Sequence, residues 1–330
     1  MPLPTVADVH VNTPLSQISV AHIQSATHFV ADGVFPNIPV EKQSDRYYTY
    51  DRHYFNRDEM RERAPGTESA GGGYTVDSTP TYYAPVYAFH HDIPDQRRNN
   101  ADSVLAPDRE ATILATQKAL IKREKTWATK YFALSIWTLD RVGVNSGPTG
   151  DQFLQWDDAL STPIEDVRLN VASILALTGI EPNTLVMGFE VWNILIEHPD
   201  IVDRLKAGQT PNGPAVVETS DLAKIFRIPR IFVMKSVETT SVEGAAADVS
   251  AFIGGKSALL VHAAPSAGLM TPSGGYTFSW TGQAGSGAAG SRISKFRMEH
   301  LKSDRVEIEM SFDQKLVSAD LGVFYGTAVA

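Results

Sequence analysis

Residues 107–132 read PDREATILATQKALIKREKTWATKYF, and the rest of the chain is best read outward from them. Pro107 suits the first position of a helix, where a missing N–H has no helical partner to lose. Asp108 and Glu110 fall in the first turn, where the positive end of the helix dipole favours acidic groups. Two apolar rows then repeat at heptad spacing: Ile113, Leu120 and Trp127, beside Leu114, Ile121 and Ala128. Residues three, four and seven apart share one face of a helix. At 1.5 Å per residue, the helix predicted over 107–132 is about 39 Å long. Lys118, Lys122, Arg123, Lys125 and Lys130 lie off or beside the apolar stripe, which leaves one face basic. Two readings of that face stand, a solvated surface or a surface kept for an anionic partner.

A chain of 330 residues has room for a substantial core and more than one domain. With 43% apolar and 20% charged residues, most of it is expected to fold. A net charge of −9 speaks against wrapping nucleic acid along the whole chain. The absence of cysteine excludes disulfides, thiolate zinc sites, iron–sulfur clusters and cysteine nucleophiles, and agrees with a reducing cytosol. The opening MPLPTVADVHVNTPLSQ has neither a basic region nor a long apolar run, so no signal peptide is expected. No apolar window reaches the length of a membrane span, and no repeat of solenoid period is visible.

Residues 1–42 read as an arm cut into short pieces by Pro2, Pro4, Pro14, Pro36 and Pro39. Thr13-Pro14 can start a helix through Leu15, Ile18, Val20, Ile23 and Phe29. Val34–Val40 reads as extended, because residues before proline avoid the helical region. The arm either reaches a partner surface or packs on its own domain. Residues 43–97 hold eight of the 11 tyrosines, together with Arg46, Arg52, Arg57, Arg61, Arg63 and Arg97, and no lysine. Their middle, APGTESAGGG at 64–73, is turn material. The flanks read as strands, with Tyr83, Tyr87 and Phe89 on one face of the second and Ala84, Val86 and Ala88 on the other. A two-stranded ribbon is marginal alone in water, and Tyr and Arg are enriched where surfaces meet. The segment is therefore predicted to project and dock on another molecule.

After the long helix, Leu134, Ile136, Trp137 and Leu139 read as strand. Ser161-Thr162-Pro163 starts a helix that Gly179 closes. Residues 161–290 read as a compact α/β unit, with strands at 183–187, 231–234 and 258–261, and helices at 190–206 (broken at Pro199) and from Leu222. Gly282–Gly290 reads as a loop. Residues 291–330 read as two or three long strands, and Arg305–Met310 alternates charged and apolar residues strictly.

Catalytic motifs are mostly missing. Gly254-Gly255-Lys256-Ser257 ends like a phosphate loop, but Ser250 stands where the first glycine belongs. His90 and His91 would point to opposite faces of a strand, so they cannot easily share a metal ion. Asp157-Asp158 and Glu197-His198 read as solvated polar pairs. There is no Gly-x-Ser-x-Gly elbow. No cofactor, metal or catalytic residue is assigned. Basic and aromatic residues interleave at 46–63, but Asp45, Asp51, Asp58, Glu59 and Glu62 cancel the charge, which favours a protein partner over nucleic acid.

The order of segments resembles the major capsid proteins of tailed bacteriophages, with the Hong Kong 97-type fold, an α+β fold. The stretches that carry the resemblance are VFPNIPVEKQSDRYYTYDRHYFNRDEMRERAPGTESAGGGY at 34–74, WDDALSTPIEDVRLNVASIL at 156–175, PNTLVMGFEVWNILIEHPDI at 182–201 and the ending DLGVFYGTAVA. The resemblance implies an N-terminal arm at 1–42 that reaches an adjacent capsomer, and an extended loop at 43–97 that lies over a neighbouring subunit. It implies a peripheral domain at 98–160 and 291–317, with a spine helix at about 107–132. It implies an axial domain at 161–290 and 318–330 that meets its copies at five-fold and six-fold centres. On this reading Tyr47, Tyr50, Tyr54, Arg57, Arg61, Arg63, Tyr83 and Tyr87 are candidate contacts between subunits. Lys118, Lys122, Arg123 and Lys125 are candidate interior residues facing packaged double-stranded DNA without sequence preference. The implied function is a structural, non-enzymatic subunit that self-assembles into pentamers and hexamers of an icosahedral head. That places it in the virion after assembly in the host bacterial cytoplasm, with no membrane partner.

The sequence departs from the family's type member in two ways. There is no room ahead of the arm for a cleaved scaffolding segment, so a separate scaffolding protein is expected, with a portal and possible decoration protein as further partners. No lysine occurs between Lys42 and Lys118, so the type member's loop-lysine cross-link is not expected. Two alternatives stand beside this reading. One is an encapsulin-type nanocompartment enclosing enzyme cargo; the other, from a different class, is an α/β hydrolase or nucleotide enzyme.

Overall fold

The computed structural model describes residues 23–101, 106–207, 217–268, 270–282 and 287–330. The chain enters through a short helix, Ala31–Val34, and strand β1 (Asn37–Val40). It runs outward as β2 (Ser44–Arg46) and β3 (Thr49–Tyr50), and returns as β4 (Val76–Asp77), β5 (Thr81–Tyr83) and β6 (Val86–Pro94). The long helix, Pro107–Tyr131, leads to β7 (Leu139–Val144) and β8 (Gln152–Leu154). Helix Pro163–Thr178 precedes β9 (Thr184–Gly188), and helices Phe189–Leu195, Pro199–Ala207 and Thr219–Phe226 precede β10 (Arg230–Met234). Then come the hairpin β11 (Val237–Thr239) and β12 (Ser250–Phe252), followed by β13 (Ala258–Val261), β14 (Gly275–Trp280), β15 (Ser291–Met298), β16 (Ser303–Leu316) and β17 (Gly322–Gly326).

Two sheets organise these elements. In the first, β16 is the shared strand. It pairs with β15 and β6 along one half and with β14 along the other, and β14 pairs in parallel with β1. The alternation read at Arg305–Met310 holds: Val306, Ile308 and Met310 are buried. On the other face Arg305 meets Asp92 across the strands at 2.7 and 2.9 Å. The second sheet is mixed, in the order β10-β9-β13-β17-β7-β8. Its central strands are buried on both faces, so they read as unbroken apolar runs. Alternate residues then feed two cores. Leu185, Met187, Leu260, Val323 and Tyr325 join the helices on one side. Val186, Leu259, Val261 and Phe324 meet Trp127, Phe132, Trp137 and Phe35 on the other.

The long helix bridges the sheets, which changes the reading of its stripe. It buries Ala111 and Ala115 in its first half, and Arg123, Glu124, Trp127, Ala128 and Tyr131 in its second. At 3.6 residues per turn, Trp127 lies roughly 160° round the helix from Ala111. The two halves therefore bury nearly opposite faces. Ala111 packs with Ile93 and Val306, where a small side chain lets the helix lie close to the first sheet. Ile113 and Leu120 do share the Trp127 face, but only its C-terminal end is covered. Ile113, Leu120 and Ile121 stay half-buried, and Leu114 is exposed.

Several expectations need correction. The helix begun at Thr13 lies mostly outside the described residues; at its expected end there is only a 3-10 turn, Ala26–His28. Residues 133–138 are not strand, and β7 starts only at Leu139. The grouping of 98–160 apart from 161–290 is not the grouping of the sheets. β7 pairs with β17, deep in the second sheet, while β14 pairs with β16 in the first. These are long-range pairings, which local periodicity cannot reveal. Residues 34–40 pack on their own chain: β1 pairs with β14, and Ile38 and Val40 lean on Tyr276 and Phe278. Gly179 closes its helix in the left-handed region, φ 75°. The phosphate-loop-like glycines serve packing instead. A Cβ on Gly188 would lie 1.9 Å from the Gly255 carbonyl oxygen, so the two backbones meet in van der Waals contact.

Candidate assembly surface

The projecting hairpin is built from two short ladders. β2 pairs with β5, and β3 pairs with β4, all antiparallel. At the far end Asp51 caps a one-turn helix, Arg52–Phe55, by accepting from the His53 N–H at 2.9 Å. Every residue from Asn56 to Asp77 is exposed. There Tyr50, Phe55 and Tyr74 form an aromatic triad, with ring centroids 5.7–6.2 Å apart. All three rings are exposed, and Met60 is 93% exposed beside the same loop. Together these side chains leave an apolar patch open on the hairpin.

The root of the hairpin is fixed by Asp313 of β16, buried against two cations. It accepts from the Tyr83 N–H at 3.0 Å, with Lys315 at 3.2 Å and Lys130 of the long helix at 3.7 Å. Below the hairpin, Arg52 forms an ion pair with Asp320, and Asn56 donates to the Thr178 carbonyl at 3.4 Å. Between the hairpin, strand β14 of the first sheet and the loops at 178–180, 270–273 and 317–321 lies an open groove of about 1080 Å3, lined by Tyr48, Tyr50, Phe55, Ile180, Met270 and Tyr276 among others.

The candidate contact residues divide. Tyr50 is exposed in the triad, and Arg57, Arg61 and Arg63 are exposed on the tip. Tyr54 is half-buried, with the Arg57 guanidinium 5.7 Å from its ring centre. Tyr83 is 58% exposed at the root. Tyr47 and Tyr87 instead face their own chain. Tyr47 packs on Phe278 at 5.3 Å, and Tyr87 on Phe312 at 5.2 Å. Burial, then the nearby Asp313 carboxylate, pushes both phenols above the ordinary tyrosine value. Tyr83 lies in β5 and Tyr87 and Phe89 in β6, so the single strand expected there is two, parted at Ala84-Pro85. The residues missed were Phe55, Met60 and Tyr74. Their signal was an aromatic or apolar residue with too little ordered chain around it to bury it.

The four candidate cations also divide. Lys118, Lys122 and Lys125 are four and three residues apart and share an exposed face of the long helix. The Lys122 ammonium lies 4.8 Å from the Tyr87 ring centre, and Lys125 pairs with Glu238 of β11. Arg123 does not join them. It is buried, pairs with Asp32 at 2.6 Å and lies over the Phe312 ring. Its position about 100° round from Lys122 turns it inward.

The polar pairs hold structural positions. His198 is not solvated: it is buried, with Nε2 3.0 Å from Ser161 Oγ and 3.2 Å from the Asp158 carbonyl oxygen. Its Nδ1 accepts from the Asp200 N–H at 3.2 Å, so in the neutral ring Nε2 carries the proton. The imidazole thereby ties the 158–161 turn to the start of helix Pro199–Ala207. Arg305 holds the Asp92 carboxyl below its ordinary value through the bidentate contact. Among the described residues no three His, Cys, Asp or Glu side chains gather as a metal site, and no helix is long and apolar enough to cross a membrane.

No family model matches the chain. A major capsid protein of Pseudomonas phage JBD67 is 24% identical over 97% of this chain and 97% of its own length. A phage-related protein from Bordetella bronchiseptica RB50 is similar in structure, with a TM-score of 0.67 and 18% identity over 94% of this chain and 99% of that one. The capsid of cyanophage P-SCSP1u gives a TM-score of 0.61 at 8% identity, covering 98% and 95% of the two chains. The SrpI encapsulin of Synechococcus elongatus gives 0.53 at 11% identity, covering 99% and 96%.

Proposed function

We infer that this chain works as a phage major capsid protein of Hong Kong 97-type fold, from its likeness along 97% of its length to one such protein and from the fold it shares with phage capsids. It is a structural shell subunit that assembles in many copies into a virion head. Its geometry supports a division of labour within that shell. The hairpin at 43–97 lies over a neighbouring subunit, and contact is made by Tyr50, Tyr54, Phe55, Tyr74 and Tyr83 with Arg57, Arg61 and Arg63. The observation that carries this reading is the exposed triad of Tyr50, Phe55 and Tyr74, on a hairpin whose root is fixed at Asp313. A second contact is the uncovered row of Ile113, Leu114, Leu120 and Ile121 on the long helix.

The finer partners are proposed from the likeness to phage capsid proteins. Copies group into pentamers and hexamers, with the second sheet and its helices at their centres. Lys118, Lys122 and Lys125 face the interior and meet packaged DNA phosphates, a salt-sensitive and sequence-blind contact. A separate scaffolding protein guides assembly in the host cytoplasm, a portal occupies one vertex and a decoration protein is a possible addition. The direct test is deletion of Pro65–Gly73. The subunit should fold, because every deleted residue is exposed, and should fail to close shells; normal shells would overturn the role of the hairpin. Co-purified DNA rather than an enzyme cargo separates a phage head from an encapsulin-type compartment.

A further inference from the structure

We propose that the junction between the arm and the long helix is a proton-linked latch, in which Glu124 takes up a proton as Val30 and Ala31 dock on it. The geometry is specific. Glu124 is 1% exposed. Its two carboxylate oxygens each lie 3.0 Å from the Val30 amide nitrogen, and one lies 2.9 Å from that of Ala31. These amides open the Ala31–Val34 helix, so one side chain of the long helix holds the place where the arm enters the fold. Val34 and Phe35, just beyond, fill the second core against Trp127 and Tyr131. Among the described residues neither amide has another acceptor, so the arm's entry depends on this carboxyl.

The charges around the carboxyl are few. Asp32, on the arm, is two residues from Val30 and adds a second negative charge. It is more than half exposed and pairs with Arg123, on the long helix, at 2.6 Å. Sheet strand β16 presents neutral Gln314, whose side-chain N–H donates to the Arg123 carbonyl oxygen at 3.3 Å. Farther along the helix, Lys130 is spent on Asp313 and Lys125 on Glu238. Among the described residues no cation contacts Glu124 itself. Burial pushes its carboxyl up to about 7; the two amides oppose that shift, and Asp32 adds to it.

The sign follows. The docked junction holds a proton between the ordinary glutamate value and about 7, and the undocked one does not. Docking is therefore fully favoured below the ordinary value and loses that advantage as pH rises through about 7. Between pH 5 and pH 7 the equilibrium for undocking should rise roughly fortyfold for one such group.

Hydrogen exchange of the full-length, unassembled subunit tests this. Exchange of the 29–35 segment, corrected for the intrinsic pH dependence of amide exchange, should lose protection by tens of fold between pH 5 and pH 7. Glu124→Gln keeps the shape and removes that proton site, so its protection should change far less across that range, any remaining slope belonging to Asp32, whose carboxyl is itself raised by burial against the pull of Arg123. A flat parent, or an unchanged slope in Glu124→Gln, overturns the proposal. Asp32→Asn covers the case in which that variant misfolds. It leaves Glu124 in place beside an uncompensated Arg123, and should move the loss of protection to lower pH. An unmoved midpoint overturns the proposal as well.

Discussion

Trp127 joins the long helix, the arm and the second sheet in one core. It is fully buried, packs edge-on against Phe35 of the arm at 5.9 Å and meets Phe132 at 5.7 Å. Trp127→Ala should destabilise the unassembled subunit by about 3–5 kcal/mol, read as a lowered denaturant midpoint. A change well under about 1 kcal/mol would mean that the arm does not form part of this core. Asp92 makes a pH-dependent contribution. Its carboxyl is held below the ordinary value by Arg305, so the stability it adds is present at neutral pH and lost as pH falls through the folded value. Asp92→Asn should be less stable than the parent at pH 7 and equal to it in strong acid. A difference that persists unchanged into acid would assign the effect to packing. At this scale the sequence was least legible. Arg123 was placed on the open basic face with Lys122, and His198 was read as solvated, because charge and polarity are local, whereas their partners Asp32 and Ser161 are distant in sequence.

The long helix and the hairpin show what periodicity can and cannot tell. Pro107, Asp108 and Glu110 located the helix start, and β9, β10 and β13 fall where short apolar runs placed them. The alternation of Arg305–Met310 gave the inner face of β16 correctly. The heptad rows were real, but a helix that changes partners half-way buries different faces, and one frame cannot describe both. The make-up of the two sheets was hidden for a related reason, since β7 pairs with β17 and β14 with β16 through contacts that no local window contains. The uncovered half of the row gives a prediction. Leu114→Asp should leave the subunit folded, because Leu114 is exposed, yet impair assembly as seen by sedimentation. Wild-type yields of particles would remove the helix from the interface. Reversing the charge of Lys122 and Lys125 should destabilise DNA-filled heads more than empty ones. Equal loss in both would reduce these residues to packing on Tyr87 and Glu238.

For the whole molecule, strength must come from number. The hairpin carries no lysine and the chain no cysteine, so no hairpin amine can form an isopeptide and no disulfide can join the copies. Each exposed charged contact is worth only about 0.2–1 kcal/mol, and closure of many copies multiplies weak contacts into a stable particle. Particles boiled in denaturing detergent should run as one band near 36.0 kDa. A ladder of multimers would place a cross-link at a lysine outside the hairpin, such as Lys42 or Lys118. The central claim is that this chain closes a shell by laying its hairpin on a neighbour, and electron cryo-microscopy of particles containing it tests that most directly. The account predicts a closed shell in which the triad of Tyr50, Phe55 and Tyr74 is covered by an adjacent copy. A shell whose hairpins rest only on their own subunits, with the triad still open to solvent, would contradict it.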